Sequence, residues 1–313
     1  IHMLLGGIEA GGTKVICGVA EMERGEVRLL DQVKFPTTTA AEVIPAAISY
    51  FQKYPIETLG IASFGPIDLH KNSPTYGYIQ STPKEGWQNV DFVHPFAAAL
   101  SIPVAFDTDV NGAALGEAIY GAGKGCDVVT YMTVGTGIGV GTYVEGHLLH
   151  GLVHPEAGHM QLVRHPKDTY QGHCPFHPHC LEGLACGPAI EARWGEKGEK
   201  LRDRKDVWDM EAFYLAQGVT NLILCYSPEK IILGGGVMHQ KDLFPRIWKQ
   251  VQQNLNGYIR SDKIEKEINQ YIVPPALGDQ AGLIGALELG RRIVVTGDSA
   301  GDKLHVKRLI KRL

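Results

Sequence analysis

Between His154 and Glu182 the chain reads HPEAGHMQLVRHPKDTYQGHCPFHPHCLE. Six of its thirteen His and two of its six Cys fall in this stretch, a density of metal-capable side chains that packing alone does not explain. His159, Cys174, His177 and Cys180 make a Cys₂His₂ set of the kind that closes a structural Zn²⁺ tetrahedron. All four positions would be filled by protein, leaving none open for catalysis. His173 and His179 are close enough to compete with His177. The Cys-x-x-His-x-x-Cys spacing favours His177, because it lets the ligands converge.

A second candidate is Asp107-Thr108-Asp109-Val110-Asn111, between a short strand from Val104 and the helical run GAALGEAIYGAG. A carboxylate at a strand end and helix start is well placed for proton transfer. The plain alternative is that Asp107 or Asp109 simply caps the helix. A third candidate is a pair of hairpin turns, Gly11-Gly12-Thr13 and Gly135-Thr136-Gly137 with Gly139. Glycines let backbone N–H groups approach a phosphate, and Thr adds a hydroxyl. One such turn is an ordinary hairpin. Two, each opening a half of the chain, form an internal repeat that could cradle a polyphosphate from both sides. Neither is a Walker A loop, which needs G-x-x-x-x-G-K-[ST] and a following helix.

These groups need a frame. The 313 residues suffice for two domains with buried cores. An apolar share of 44% and a charged share of 20% are globular values. A net charge of −4 gives no basic field for nucleic acid, so no such partner is expected. The longest charge-free run, Val128 to Val144, is too rich in Gly and Thr for a membrane helix. Only Cys174 and Cys180 sit in a ligand-like pattern, which favours a reducing cytoplasm over disulfides. Ile1 and His2 read as a cloning remnant, with Met3 the start.

Leu4 to Glu21 predicts strand, tight turn, strand, and Leu29 to Phe35 a further strand. Thr39 is expected to cap a helix in which Pro45 forces a kink or a late start. Leu59 to Phe64 predicts a buried strand ending in Gly65-Pro66-Ile67-Asp68, and Trp87 is expected in packing. The charged break from Lys197 to Asp206 reads as a solvated turn between helices. Lys230 to Leu233 predicts a strand feeding Gly234-Gly235-Gly236, and Lys303 to Leu313 a basic, solvated end.

In this order the elements resemble the ROK family of sugar kinases, and within it the bacterial fructokinases, from Gly6 to about Gly290. GGIEAGGTK looks like the first phosphate loop and DTDVNGAALGE like the segment carrying the catalytic Asp. TVGTGIGVG looks like the second phosphate loop, and HPEAGH with CPFHPHCLEG like the sugar and zinc signature. ILGGGVM and PALGDQAGLIGA look like the adenosine-side segments. Singly the glycine loops are weak signals; their order, with the zinc motif among them, is specific.

The resemblance implies an α/β fold of the actin/hexokinase-like (ribonuclease H-like) type, with two domains and an interdomain cleft. The smaller domain would cover 3–119 plus the last helix at about 284–313, and the larger 120–283 with the zinc loop. Asp109 would be the general base that takes the proton from the attacking sugar hydroxyl. Gly65, Thr108, Asp109, Glu156, His159 and Glu182 would contact the sugar. Gly11, Gly12, Thr13, Lys14, Thr136, Gly137, Gly187, Pro188, Gly235 and Gly236 would contact ATP or its phosphates. His159, Cys174, His177 and Cys180 would hold Zn²⁺, with one His159 ring nitrogen left for the sugar, and Mg²⁺ would arrive with ATP. The implied reaction is transfer from ATP to the 6-hydroxyl of fructose, with mannose as the main secondary sugar, in a cytoplasmic homodimer.

Three positions depart from the family pattern. Glu9 stands where most members have Asp, Thr108 where glucose-type members have Asn, and His177 where the common zinc loop has a third Cys. The second departure argues against glucose. Relatives that repress transcription carry a helix-turn-helix ahead of the first phosphate loop, and few residues precede it here, so a DNA-binding sensor is disfavoured.

Overall fold

The computed structural model describes residues 3–23 and 26–296, so the basic end from Lys303 lies outside the described residues. In chain order the elements are β1 (Met3–Ala10), β2 (Lys14–Glu23), β3 (Glu26–Pro36), α1 (Ala40–Phe51), β4 (Thr58–Ser63), β5 (Tyr78–Ile79), β6 (Val90–Asp91) and α2 (His94–Leu100). They continue with β7 (Val104–Thr108), α3 (Asp109–Tyr120), β8 (Val128–Val134), β9 (Ile138–Val144), β10 (His147–Leu148), α4 (Leu181–Ala185), α5 (Gly187–Trp194) and α6 (Lys205–Tyr226). The last are β11 (Lys230–Gly234), α7 (Leu243–Leu255), α8 (Asp262–Glu265), α9 (Ile268–Tyr271), β12 (Ile272–Val273) and α10 (Ala281–Thr296).

The chain divides into two compact units. One takes the chain up to Gly116, then His147–His154, then Gln280 onward; the other takes Glu117–Gly146 and Pro155–Asp279. Residues 147–154, which the sequence reading put in the second domain, cluster with the first unit.

In the first unit the strand order is β3-β2-β1-β4-β7. β1 is antiparallel to β2 and parallel to β4, which is parallel to β7. Every residue of β4 is buried, as a parallel strand covered on both faces requires, whereas edge strand β3 alternates toward solvent. Leu283 and Leu287 of α10 pack with Met3, Leu5, Ile16, Ala20 and Met22. This helix lies on backbone: a Cβ on Gly60 would sit 1.7 Å from the Ala286 carbonyl oxygen, and one on Gly285 1.7 Å from that of Gly112.

Trp87 is buried, donates its indole N–H to the Thr38 carbonyl at 2.8 Å and meets Phe64 and Phe92 edge-on, so it is packing, as expected. Helix α1 runs from Ala40 through Pro45, and Thr39 occupies its N-cap position without a side-chain cap bond.

The second unit repeats the sheet pattern. Its strands run β9-β8-β11-β12, with β8 antiparallel to β9 and parallel to β11. The long helix α6 fills its core with Val207, Trp208, Tyr214, Leu215 and Val219. Among the described residues no helix is long and apolar enough to cross a membrane.

Candidate functional site

At the end of β7 the polar residues sort themselves by hydrogen bonding. The Thr108 hydroxyl accepts the Asn111 amide at 3.1 Å, so Thr108 caps α3 and neither carboxylate does. Asp107 is buried, and its Oδ1 accepts from the Thr108 amide at 2.7 Å and from Asn111 Nδ2 at 2.9 Å. Its Oδ2 stands 2.7 Å from His150 Nε2. Asp109 is the first residue of α3, and its Oδ1 accepts the Val110 amide at 2.9 Å. Beyond that bond and its own amide, no group among the described residues is shown bonding its Oδ2. Its surface is only partly covered, yet the carboxyl sits deep among protein atoms, and burial pushes it up to about 6. Asp107 is therefore spent on structure, while Asp109 keeps a free oxygen and a proton affinity near neutrality.

Gly65 opens the loop after β4. A Cβ there would meet the His154 ring at 3.2 Å, and His154 Nε2 accepts the Ile67 amide at 3.1 Å. His154 thus belongs to this loop and not to the metal stretch with which its spacing grouped it. The first hairpin closes through a bond from the Gly11 amide to the Lys14 carbonyl at 2.9 Å, and Gly12, Thr13 and Lys14 are exposed at its tip. Glu9, one strand turn earlier, has room for its longer side chain because Gly282 has none: a Cβ there would lie 2.4 Å from the carboxyl.

In the second unit, His159, Cys174, His177 and Cys180 place one ligand atom each within 4.8 Å of all the others, a group that could hold a metal ion. Cys174 Sγ lies 3.7 Å from Nδ1 of both His159 and His177, and Cys180 Sγ lies 3.6 Å from His159 Nδ1. His173 and His179 lie outside the group, and the His179 ring instead faces Arg164 at 3.4 Å. Cys180 also caps α4, its sulfur accepting the Gly183 amide at 3.3 Å. Glu156 is exposed and precedes the 3-10 turn Ala157–His159. That turn rests directly on β9, since a Cβ on Gly158 would be 1.8 Å from the Ile138 carbonyl oxygen. Glu182, in the first turn of α4, accepts the Ile138 amide through Oε2 at 2.9 Å, and its Oε1 is 4.0 Å from His159 Nε2.

A cavity of about 510 Å³ opens in the same unit. Thr136, Gly187, Pro188 and Gly236 line it, whereas Gly137 and Gly235 do not. Gly137 faces the Glu182 carboxylate, and Gly235, at φ 91°, lets the backbone cross Val134 where a Cβ would clash at 2.4 Å. The Gly187 amide is already given to the Gly135 carbonyl at 2.7 Å and Pro188 has none, so these two shape the wall without donating.

Sequence reading missed other lining groups. Lys197, Glu199 and Arg202 line the cavity while staying exposed, so the charged break from Lys197 is solvated, as expected, and also borders the cavity. Gly198 sits 3.3 Å from the Trp208 ring by its would-be Cβ, and that indole donates to the Leu201 carbonyl at 2.9 Å. This aromatic anchor fixes the loop, while the charges on it stay exposed beside the cavity. Its signal was the Gly-x-x-Leu spacing ahead of a Trp, hidden by the charges around it.

Two buried carboxylates also escaped notice. Asp168 receives Tyr214 Oη at 2.6 Å and Arg193 Nε at 3.1 Å, and the Arg193 guanidinium lies over the Tyr170 ring at 5.0 Å. This binds the middle of the metal stretch to α5 and α6. Glu117 accepts the amides of Ala122, Ala276 and Leu277 at 2.7, 3.2 and 2.9 Å, which holds the PALGDQ loop.

With this geometry in place, likeness to known proteins is informative. The sequence profile of the ROK family matches residues 5–293. A protein of Bacillus subtilis strain 168 is 48% identical over 299 residues, covering 96% of this chain and 99% of its own. The fructokinase of Pediococcus pentosaceus is 43% identical over 289 residues, covering 92% and 98%. The crystal structure of the ROK hexokinase from Thermus thermophilus superposes with a TM-score of 0.75 at 26% identity, covering 94% of this chain and 99% of that one. The mixed α/β sheets therefore form the actin/hexokinase-like sugar kinase fold. The chain belongs to the ROK family.

Proposed function

We propose that this chain is an ATP-dependent fructokinase, transferring the γ-phosphoryl group to the 6-hydroxyl of fructose. The observation that carries the reading is Asp109, a partly buried carboxylate with one free oxygen at the start of α3 and a proton affinity near neutrality. The attacking hydroxyl must lose its proton as the phosphoryl group moves, and a base matched to neutral pH serves this best. Relatives named fructokinase, at 43% and 42% identity over most of their length, support fructose as the sugar. Thr108 supports it as well, since it offers a sugar no amide, and its oxygen already accepts the Asn111 amide, which leaves its O–H to donate.

Glu156, His159 and Glu182 are the proposed sugar contacts in the second unit, and Gly65, Thr108 and Asp109 those in the first. His159 would turn Nδ1 to the metal and keep Nε2 for a sugar hydroxyl, beside the Glu182 carboxylate. The metal is proposed to be Zn²⁺. With Zn–S of about 2.3 Å and Zn–N of about 2.0–2.1 Å, a tetrahedron sets S and N ligands about 3.6 Å apart. The Cys to His gaps of 3.6 and 3.7 Å fit that geometry. Zn²⁺ would hold the loop that orients His159 and Glu182, a structural part.

For ATP, the proposed contacts in the second unit are Thr136, Gly187, Pro188 and Gly236, which line the cavity, together with Gly137 and Gly235. Gly11, Gly12, Thr13 and Lys14 are the proposed phosphate contacts of the first unit, and Mg²⁺ would accompany the nucleotide. A homodimer in the cytoplasm is the proposed state. An assay coupled to ADP release, run over fructose, mannose, glucose and N-acetylmannosamine, tests the reading. The highest kcat/KM is expected with fructose; another sugar in first place overturns the assignment.

A further inference from the structure

The strap His147–His154 is fastened to its own unit by polar ties. His150 Nε2 lies 2.7 Å from Asp107 Oδ2, and His70 Nε2 lies 2.6 Å from the Leu152 carbonyl. The Ile67 amide donates to His154 at 3.1 Å. Leu152 and Val153 add little apolar burial to the strap, being 92% and 50% exposed. The first tie leads through Asp107 to the turn bearing Asp109, which the strap also reaches directly through the Leu149 carbonyl, 3.5 Å from Asn111 Nδ2. While Oδ2 meets His150, Oδ1 accepts both the Thr108 amide and Asn111 Nδ2.

We propose that His150 is a positioning residue for the phosphoryl transfer assigned above: through Asp107 it fixes the turn that presents Asp109 and sets the register of the strap. The proposal rests on the kinase reading for its rate effect, and on the structure alone for its geometry. His150 does not touch the Asp109 carboxylate. It keeps the Asp107 carboxylate oriented. Without it, Oδ2 loses this side-chain partner, and the carboxyl is free to turn. That rotation loosens its hold on Thr108 and Asn111, the cap and first turn of α3. The charges agree with this role: burial works to lower the His150 ring, yet the Asp107 carboxylate outweighs it and raises it. Tyr76 also faces Asp107; burial first, then that charge, raises its phenol.

The test compares His150→Gln, which keeps an N–H donor at the position of Nε2, with His150→Phe, which keeps the ring volume without one. Phe is expected to lower kcat with fructose about 10–100-fold, since a displaced reacting group costs this much, while KM for ATP stays within about twofold. Gln is expected to restore most of kcat. Combining His150→Phe with Asp107→Asn should be no worse than the weaker single variant, because both break one bond. If Phe fails to fold, His150→Ala carries the same expectation. A second readout needs no turnover: the Asp109 carboxyl titration, followed by ¹³C NMR in substrate-free protein, should shift in His150→Phe and return in His150→Gln. A kcat within twofold of wild type, or an Asp109 titration unmoved by the loss of the donor, overturns the proposal. If wild type phosphorylates no hexose, the kinase reading falls, and the NMR titration still decides the positioning role.

Discussion

Glu182 joins two parts of the second unit with one carboxylate: Oε2 accepts the Ile138 amide at 2.9 Å, while Oε1 faces His159 Nε2 at 4.0 Å. The tip of the β8–β9 hairpin and the metal group are therefore set by the same side chain. Glu182→Gln keeps an oxygen for Ile138 but removes the charge offered to a sugar hydroxyl. It should raise the fructose KM about tenfold with little loss of stability. Glu182→Ala also strands the buried Ile138 amide, at a cost of about 1–3 kcal/mol. Calorimetric titration with fructose and urea unfolding separate the two. Wild-type sugar affinity in Glu182→Gln would remove Glu182 from the sugar site.

Asp109→Asn should reduce turnover by about 10²–10⁴-fold, with fructose still bound. In wild type the base must be ionised, so kcat/KM should fall below pH 6, where burial has placed the Asp109 carboxyl, and level off above it. The stability effect has the opposite sense. The folded value lies above the unfolded value of about 3.9, so the group's contribution is full below that and lost as pH rises through 6. At pH 7–8 the ionised carboxylate then costs on the order of 2–3 kcal/mol, and the Asn variant should melt higher. A lower Tm for Asp109→Asn would contradict this.

Removing the metal should loosen the sugar site more than the nucleotide cavity. Elemental analysis of purified protein is expected to find zinc at one ion per chain. Cys180→Ser should abolish it, lower Tm and raise the fructose KM, because the serine variant loses a ligand at the N-cap of α4. His173→Ala and His179→Ala should keep the metal, since both rings lie outside the group. Burial raises the Cys180 thiol to about 11, so metal uptake must displace protons and chelation should become easier as pH falls.

Arg193→Ala should destabilise the protein by about 3 kcal/mol, because it leaves the buried Asp168 with only the more distant Arg164, at 4.0 Å, as a cation. Both side chains are almost wholly covered, at 6% and 1% exposure. Although burial works the other way, bonds from Tyr214 and Arg193 hold Asp168 below its ordinary range. Its stabilisation is thus present above about pH 4 and lost on acidification, and the variant should show a flatter acid limb in urea unfolding. Metal content measured in parallel should also fall, because Asp168 lies within the metal stretch.

What could be read beforehand divides along sequence distance. The hairpin at Gly135-Thr136-Gly137 and the Cys174, His177 and Cys180 spacing are local patterns, and residue types alone suggested them. Asp107 and Asp109 could not be told apart, because the answer depended on His150, 43 positions from Asp107. Arg193 and Asp168 meet across 25 positions, with nothing local to mark either. Lys197 and Arg202 are exposed, as their charge suggests, but that they border the cavity depends on the Trp208 indole bond to Leu201, which is invisible to composition. His154 was misgrouped because nearness in sequence to His159 outweighed its distant partner Ile67.

Helix α10 closes against the first strands of the chain, with Leu283 and Leu287 on Met3, Leu5 and Ile16, and its backbone on Gly60. On the ribosome this means the first unit begins before the second but finishes after it. Its sheet must wait, one apolar face bare, until some 280 residues have been made and the closing helix emerges. The second unit can complete its core during that interval. The unit that carries Asp109 is therefore the one most exposed to chaperones and to premature truncation.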